Sequence, residues 1–436
     1  MAGGKGTRIS SITNDEIPKP MLTVGNKPIL EHQINSLKKS GINDIIIVIG
    51  HLGEKIKSFF GDGSKHGVNI SYYEENPDKP LGTAGSLYYL KDKINGDFIL
   101  IFGDVFLSVD FNRMIKYHKE KKSDATLLTH PNSHPFDSDL VVVNEMGKVL
   151  SFDSKDNTRD YDYNNLVNSG IYCFSTKIFD YVNEPKKYGL EKDVIANMIL
   201  SGDNVYSYHS TEYVKDMGTP ERFNAVNEDY SNGLCEHRNL SHKQKAIFLD
   251  RDGTINEYVP FLSQKENFKL IPGVSEAIRK INSSEYLCIV VTNQPIIARG
   301  ECTLDSLSEI HKHMETLLGN EGAYIDGLYY CPHHPDKGFE GEVPELKIKC
   351  DCRKPNTGMI KKASIDYNID LNESIMIGDS TLDIKMAENA GIKSVLVNTG
   401  QKGLDGKYEI NPDIIAEDLL DAINKILIKE RGKSLW

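Results

Sequence analysis

Asp250 and Asp252 stand two residues apart at the end of the apolar run Ala246-Ile247-Phe248-Leu249, and Gly253-Thr254 then turn the chain. An apolar strand with that ending delivers two carboxylates to its carboxyl end. Three polar clusters follow in order. Val290-Val291-Thr292-Asn293 closes a strand with a hydroxyl and an amide. Arg353-Lys354-Pro355 supplies cations just before a helix, and Ile377-Gly378-Asp379, with Asp383 four residues on, closes another strand with carboxylates. Any one of these could be a helix cap or a surface group. Four in succession carry the groups that one cleft needs to handle a charged ligand.

A second constellation is made of soft ligands. Cys331-Pro332-His333-His334 precedes Cys350-Asp351-Cys352, which abuts Arg353-Lys354. Three cysteines and one histidine form a closed tetrahedral zinc site of the structural kind. Such an ion would pin a long polar loop beside Lys354.

The chain opens on Met1-Ala2-Gly3-Gly4-Lys5-Gly6-Thr7-Arg8. Three glycines in four positions let backbone N–H groups close on an anion. Arg8 and Lys19, the latter within Pro18-Lys19-Pro20, add positive charge for phosphates. Leu81-Gly82-Thr83-Ala84-Gly85 is a second small-residue loop, open enough to approach a flat base. Asp104 ends an apolar strand and Asp216 lies in Lys215-Asp216-Met217-Gly218-Thr219-Pro220; both are candidate Mg²⁺ carboxylates, with turn or capping roles as the plain alternative.

These groups need rigid elements behind them. Ile45–Ile49 and Phe98–Phe102 read as strands buried on both faces, with a helix over Ile29–Lys39 between such runs. Residues 231–244, polar and without periodicity, read as a linker. Strands are then expected at Ala246–Asp250, Leu287–Thr292, Gly327–Cys331, Ser374–Asp379 and Ser394–Asn398, with helices over Thr303–Leu318 and Leu382–Ala390. The expectation is an α/β chain: two doubly wound, Rossmann-like domains in tandem, over 1–230 and 245–436, with ligands at the carboxyl ends of strands.

The bulk properties agree. The chain has 436 residues, 39% of them hydrophobic, enough for two or three ordinary cores. Its 63 acidic and 51 basic residues leave a formal charge of −12, a poor match for nucleic acid or an anionic membrane. No apolar run reaches the roughly 18 residues of a membrane span, and no signal-peptide core is visible at the start. Seven cysteines, an odd number, argue against a disulfide framework and for a cytoplasmic place.

Residues 1–225 resemble the sugar-phosphate nucleotidyltransferase family, through GGKGTR, PKPM, LGTAG, Gly103-Asp104, Asn168-Ser169-Gly170, Glu191-Lys192-Asp193 and DMGTPE. The resemblance implies that Gly3, Gly4, Gly6, Thr7, Arg8 and Lys19 hold a nucleoside triphosphate and that Gly82 lies against its base. It implies sugar-phosphate contacts from Asn168, Gly170, Glu191 and Lys192, and Mg²⁺ on Asp104 and Asp216. A sugar-1-phosphate oxygen would attack the α-phosphorus and release pyrophosphate, with Arg8 and Lys19 neutralising charge. In that family the glycine-rich loop follows a buried first strand. Met1 here stands inside the loop, so the natural start is expected upstream of Met1.

The second half resembles the haloacid dehalogenase superfamily. That implies Asp250 as nucleophile, Asp252 as acid and base, and Mg²⁺ on Asp250, the Asp252 carbonyl and Asp379. Thr292, Asn293, Arg353 and Lys354 would hold the phosphoryl group, and Asp383 would support the metal site from behind. The run Asp326–Pro335 and the zinc ligands Cys331, His333, Cys350 and Cys352, with His333 preferred over His334, resemble the heptose 1,7-bisphosphate 7-phosphatases. The histidinol-phosphate phosphatases are the near competitor. Two departures stand out: Pro295 replaces the usual Ser of NQSGIARG, and Ser380 follows Asp379 where Lys is common.

A bisphosphate that loses its distal phosphate becomes a sugar 1-phosphate, the substrate of the first half. The expected substrates are thus heptose bisphosphate, heptose 1-phosphate and a nucleoside triphosphate, with GTP the choice by pathway resemblance. Two other readings stay open. One is a mannose- or glucose-1-phosphate nucleotidyltransferase joined to a histidinol-type phosphatase. The other is a phosphatase joined to a degenerate nucleotide-binding regulatory domain.

Overall fold

The structure, a computed structural model, describes residues 1–2, 9–76 and 78–431. The glycine-rich loop expectations at Gly3, Gly4, Gly6, Thr7 and Arg8 therefore lie outside the described residues. The chain forms two compact units. The first takes Met1–His130, Asp139–Ser154 and Leu166–Leu240; the second takes Pro131–Ser138, Lys155–Asn165 and everything from Ser241.

The second unit is built on a six-stranded parallel sheet. Its order is Gly327–Cys331, Tyr286–Asn293, Lys245–Leu249, Ile375–Gly378, Lys393–Val397, Ile414–Ala416. Counted in chain order this is 3-2-1-4-5-6, the doubly wound arrangement. Alternate residues of the central strands explain why it is parallel. Ile247, Leu249, Cys288, Val290, Ile375 and Ile377 pack with Ile278, Ile281, Ile423 and Ile426 of the helices Val274–Asn282 and Leu419–Arg431. The intervening Phe248, Leu287, Ile289, Val291 and Met376 are also fully buried. Both faces are covered, and each buried aliphatic chain contributes about 1.5–3 kcal/mol.

The order reverses between Lys245–Leu249 and Ile375–Gly378. Leu249 sits beside Ile377 there, and Asp250 N–H donates to the Ile377 carbonyl at 3.0 Å. The carboxyl ends that carry Asp250 and Asp379 are thus neighbours at the switch point, where a crevice opens in such sheets.

The first unit differs. Its main sheet runs Val205–His209, Ala125–His130, Val167–Phe174, Leu140–Val143, Val149–Asp153, and Phe98–Ile101 also pairs with Val167–Phe174. Val205–His209 is parallel to Ala125–His130, while the other pairings are antiparallel. Alternation along the central strand sends Tyr172 and Phe174 into one core and Ile171 and Cys173 into another. Two separate pairs complete the unit: parallel Asp44–Ile49 with Asn69–Glu74, and antiparallel Val105–Ser108 with Tyr213–Asp216. The Met1–Ala2 segment lies between two of these strands. Ala2 N–H donates to Val48, the Met1 amine to the Ile101 carbonyl, and Gly103 N–H to Met1, all at 2.8 Å.

Two boundaries differ from expectation. The first unit is not an unbroken 1–230, because Pro131–Ser138 and Lys155–Asn165 pack with the helix Leu304–Asn320 of the second. Glu315 accepts from Asn165 N–H at 2.6 Å, Thr316 from Tyr163 N–H at 3.0 Å, and Asp162 bonds His313 at 2.9 Å and Lys265 at 2.6 Å. Residues 231–244, expected as a linker, contain the helix Leu234–His237, with Cys235 and Leu240 buried in the first unit. Their polar composition concealed two apolar anchors. Among the described residues no helix is long and apolar enough to cross a membrane.

Candidate active sites

In the second unit, Asp250, Asp379 and Asp383 converge on Lys354. Lys354 Nζ lies 2.7 Å from Asp250 Oδ1 and 2.6 Å from Asp383 Oδ1. Every one of these four side chains is buried. Three carboxylates share a single cation in a medium that penalises charge, and the consequence is visible in their acidities. Burial, then the Asp383 charge, pushes Asp250 up to about 7. Burial, then Asp250 and Asp383, pushes Asp379 up to about 8. Lys354 is driven above its usual range by the two carboxylates, which outweigh its own burial.

That surplus of negative charge fits a divalent cation. Oxygens of Asp250, Asp379 and Asp383 lie within 4.8 Å of one another. Asp383 is the most committed of the three: its second oxygen accepts from Ser380 N–H at 3.1 Å and Ser380 Oγ at 2.6 Å. Ser380, the departure from the common Lys, thereby caps the helix Thr381–Ala390 and fixes the carboxylate that fixes Lys354. Asp379 accepts from Gln401 N–H at 2.6 Å. Gly253 (φ +88°) and Gly400 leave room for it, since a Cβ at either would overlap its carboxylate.

Asp252 is held apart from this cluster. Its carboxylate accepts from the fully buried Arg251 at 2.9 Å, from Gln294 at 2.8 Å and from Asn256 at 3.1 Å. Arg251 Nη1 also meets His311 at 3.1 Å, and burial, then the Arg251 charge, drives His311 well below its usual pKa, so its ring is neutral. Asn293 Oδ1 accepts from Lys354 N–H at 3.0 Å, and Thr292 Oγ1 accepts from Gln294 at 2.8 Å. Asp250, Asp252, Thr292, Asn293, Arg353, Lys354 and Asp379 all line one cavity of about 660 Å³, together with Pro295. Arg251, Gln294 and Gln401 were not legible as site residues in the sequence. Arg251 and Gln294 are each adjacent to a residue that was, while Gln401 reaches Asp379 only through the fold.

Beside the cavity, Cys331, His333, Cys350 and Cys352 bring their ligand atoms within 4.8 Å of one another. Sulfur–sulfur separations are 3.2 to 3.5 Å, and His333 Nδ1 is 3.3 Å from Cys352 and 3.7 Å from Cys331. These approach the edge of about 3.8 Å that a tetrahedron with roughly 2.3 Å Zn–S bonds requires, so the donor set fits zinc. His334 lies outside the cluster, where its Nδ1 accepts from Asp336 N–H at 3.2 Å. Arg353 donates to the His333 carbonyl at 3.2 Å, and Asn356 to the Cys350 carbonyl at 2.7 Å. The metal loop and the Arg353-Lys354 turn are one hydrogen-bonded piece.

In the first unit, the antiparallel pair Val105–Ser108/Tyr213–Asp216 places Asp216 opposite Val105, and Met217 N–H donates to the Asp104 carbonyl at 2.9 Å. Asp104 and Asp216 are thus on neighbouring chain segments. Asp104 pairs with Lys19 at 3.3 Å, and Asp216 with Arg222. Asn168 and Glu191 are brought together: Glu191 accepts from Tyr172 Oη at 2.6 Å and lies 3.5 Å from Asn168 Nδ2. Asn168 Oδ1 is buried and has no hydrogen-bond partner among the described residues. Gly170 (φ +76°) forms the bulge that turns Asn168 out of register, and a Cβ there would lie 2.9 Å from Phe102. Glu191 and the exposed Lys192 sit in the π-helical turn Leu190–Ile195. Gly82 (φ +76°) packs its backbone against Tyr188, leaving no space for a side chain. Tyr172, which orients Glu191, was missed because its spacing reads as ordinary core.

Comparison with known proteins follows the same division. Residues 1–233 match the nucleotidyl transferase family, and residues 351–422 match the HAD-hydrolase-like family. A D-glycero-beta-D-manno-heptose-1,7-bisphosphate 7-phosphatase from Haemophilus ducreyi is 41% identical over 182 residues, 41% of this chain and 97% of that protein. A UTP–glucose-1-phosphate uridylyltransferase from Synechocystis is 31% identical over 239 residues, 52% of this chain and 61% of that protein. Among solved structures, a D,D-heptose 1,7-bisphosphate phosphatase from B. bronchiseptica, complexed with magnesium and phosphate, aligns with TM-score 0.38 and 31% identity, over 43% of this chain and 99% of that one. The chain is therefore an enzyme that belongs to the nucleotidyl transferase family through its first half and, through its second, to the HAD-like heptose 1,7-bisphosphate 7-phosphatases.

Proposed function

We propose that the second unit removes the 7-phosphate of D-glycero-D-manno-heptose 1,7-bisphosphate and that the first joins the resulting heptose 1-phosphate to a nucleotide, GMP from GTP. The observation that carries this reading is the Asp250–Lys354–Asp383 array beside Asp379 at the switch point. It leaves Asp250 in the cavity with a cation at its flank.

Asp250 attacks phosphorus, a P–O bond forms to its carboxylate, and the bond from phosphorus to the sugar oxygen breaks. Asp252 acts as the acid that delivers a proton to that leaving oxygen. It then takes a proton from water, whose oxygen attacks the aspartyl-phosphate and frees Asp250 and inorganic phosphate. Lys354, Thr292 and Arg353 hold the phosphoryl group, and Asn293, beside them, fixes the Lys354 backbone. Mg²⁺, held by Asp250, Asp379 and the Asp252 carbonyl, would supply the charge that lets a carboxylate approach a phosphate. Zn²⁺ on Cys331, His333, Cys350 and Cys352 would hold the loop that shapes the cavity.

In the first unit the roles are binding and charge neutralisation. Lys19 would neutralise the triphosphate and Gly82 would meet the base; the roles of Gly3, Gly4, Gly6, Thr7 and Arg8 in holding the triphosphate rest on the family resemblance of that loop alone. Asn168, Gly170, Glu191 and Lys192 receive the sugar phosphate, while Asp104 and Asp216 would hold Mg²⁺. The order of steps supports the pairing, because removal of the distal phosphate makes the substrate of the transfer. The product is an activated heptose for a surface polysaccharide or S-layer glycan, made in the cytoplasm.

The test is incubation of the full chain with heptose bisphosphate, Mg²⁺ and each nucleoside triphosphate in turn, read by mass spectrometry. A GDP-heptose with release of one phosphate and one pyrophosphate is expected. Phosphate release without any sugar nucleotide, with all four triphosphates, would overturn the transferase half.

A further inference from the structure

Arg299 lines the same cavity as Asp250 and Asp379 but takes no part in the chemistry above. Its guanidinium carbon lies 4.3 Å from the ring centre of Phe261 and 4.4 Å from that of Phe339. Its Nε is buried and has no hydrogen-bond partner among the described residues. Phe339 carries a second cation, Lys347 at 4.5 Å, whose side chain is wholly buried. Phe261 has φ +55°, a conformation that is strained for a bulky residue and persists only where its surroundings impose it.

A guanidinium held between two rings has its faces occupied and keeps only its edge for hydrogen bonds. That edge is a planar fork suited to two oxygens of one phosphate. Besides Asp250, Asp252, Asp379 and Lys354, the cations Arg299, Arg353, Lys349 and Lys407 line the cavity, with Asp336 a further carboxylate. The reacting phosphate is already served by Lys354, Thr292 and the carboxylate cluster. A further fixed cation calls for a further anionic group on the substrate.

We propose that Arg299, held flat between Phe261 and Phe339, is a specificity-determining residue that receives the phosphate the enzyme does not cleave. This rests on the sugar-bisphosphate reading of the second unit. The rings keep the fork oriented before substrate arrives, so binding costs little side-chain ordering.

The experiment compares heptose 1,7-bisphosphate with heptose 7-phosphate, using the full chain loaded with Mg²⁺ and zinc. Wild type is expected to prefer the bisphosphate. Arg299→Gln should lower kcat/KM for the bisphosphate roughly 10–100-fold, mostly through KM, and shrink the preference by the same factor. Arg299→Lys, which keeps the charge and loses the fork, should recover only part of it. Phe339→Leu, which removes one platform and keeps the arginine, should cost roughly 2–5-fold on the bisphosphate. If wild type discriminates and both Arg299→Gln and Phe339→Leu discriminate equally well, the assignment of Arg299 is wrong and the substrate reading stands. If wild type hydrolyses both compounds equally through Asp250, the substrate reading fails and takes the assignment with it.

Discussion

The two sites hold their charges differently. In the phosphatase unit the side chains of Asp383, Lys354 and Asp250 are 0%, 2% and 12% exposed, held in contacts of 2.6–2.7 Å. In the transferase unit the two carboxylates are more open, with the Asp104 side chain 34% exposed and that of Asp216 40%, while Lys19 is 11% exposed. The chemistry accounts for the contrast. An aspartate that makes a bond to phosphorus must be aimed beforehand, and burial against a lysine does that. A transfer between two bound substrates asks the protein only to gather and neutralise them. On the proposed reading, the half-open Lys19–Asp104 pair would part when phosphate and metal arrive.

The largest test of that contrast is Asp250→Asn. Phosphate release should fall by about 10⁴-fold or more, while pyrophosphate release from heptose 1-phosphate and GTP continues. Parallel loss of both would mean that the units do not work independently. The reciprocal change is Asp104→Asn or Asp216→Asn. Pyrophosphate release should drop by roughly 10²–10³-fold, with phosphate release unchanged in the same preparation. A transferase that keeps its rate would show that these carboxylates are only turn residues.

Cys350→Ser should lower bound zinc, measured by atomic emission, and reduce the melting temperature of one transition by several degrees, since each kcal/mol moves such a domain by roughly 2–8 °C. An unchanged zinc content would remove that site from the account.

The smallest effect concerns pH. Asp250 and Asp379 are raised from 3.8 to about 7 and about 8 by burial and by their neighbouring carboxylates. The folded state therefore binds more protons than the unfolded state between pH 4 and 8, and stability falls as pH rises through that window. Mg²⁺ would offset the charge of the ionised buried pair, so the melting-temperature gain from Mg²⁺ should be larger at pH 8 than at pH 6. A gain that is equal at both would count against cation binding by these carboxylates.

Much of the phosphatase was readable before folding. Gly327–Cys331 forms over the expected residues, and the strands expected at Ala246–Asp250 and Leu287–Thr292 appear as Lys245–Leu249 and Tyr286–Asn293. Local periodicity determines such elements, and two-face burial leaves a continuous apolar run. The helix Ile29–Lys39 likewise forms over its expected residues. Less legible were residues whose role depends on distant chain. Gln401 N–H reaches Asp379 across 22 positions, and Asn165 N–H meets Glu315 across 150. Neither leaves a pattern in a short window.

The sequence by itself determined the strands, the polar groups at their ends and the order of the two chemistries, because strand periodicity and motif spacing are local properties. Only the tertiary structure decided which ends meet. The 3-2-1-4-5-6 strand order brings Asp250 beside Asp379 and Lys354, and two segments from the first half of the chain join the second unit. These are long-range choices, made by burial of both sheet faces and by hydrogen bonds between groups that are remote in the chain.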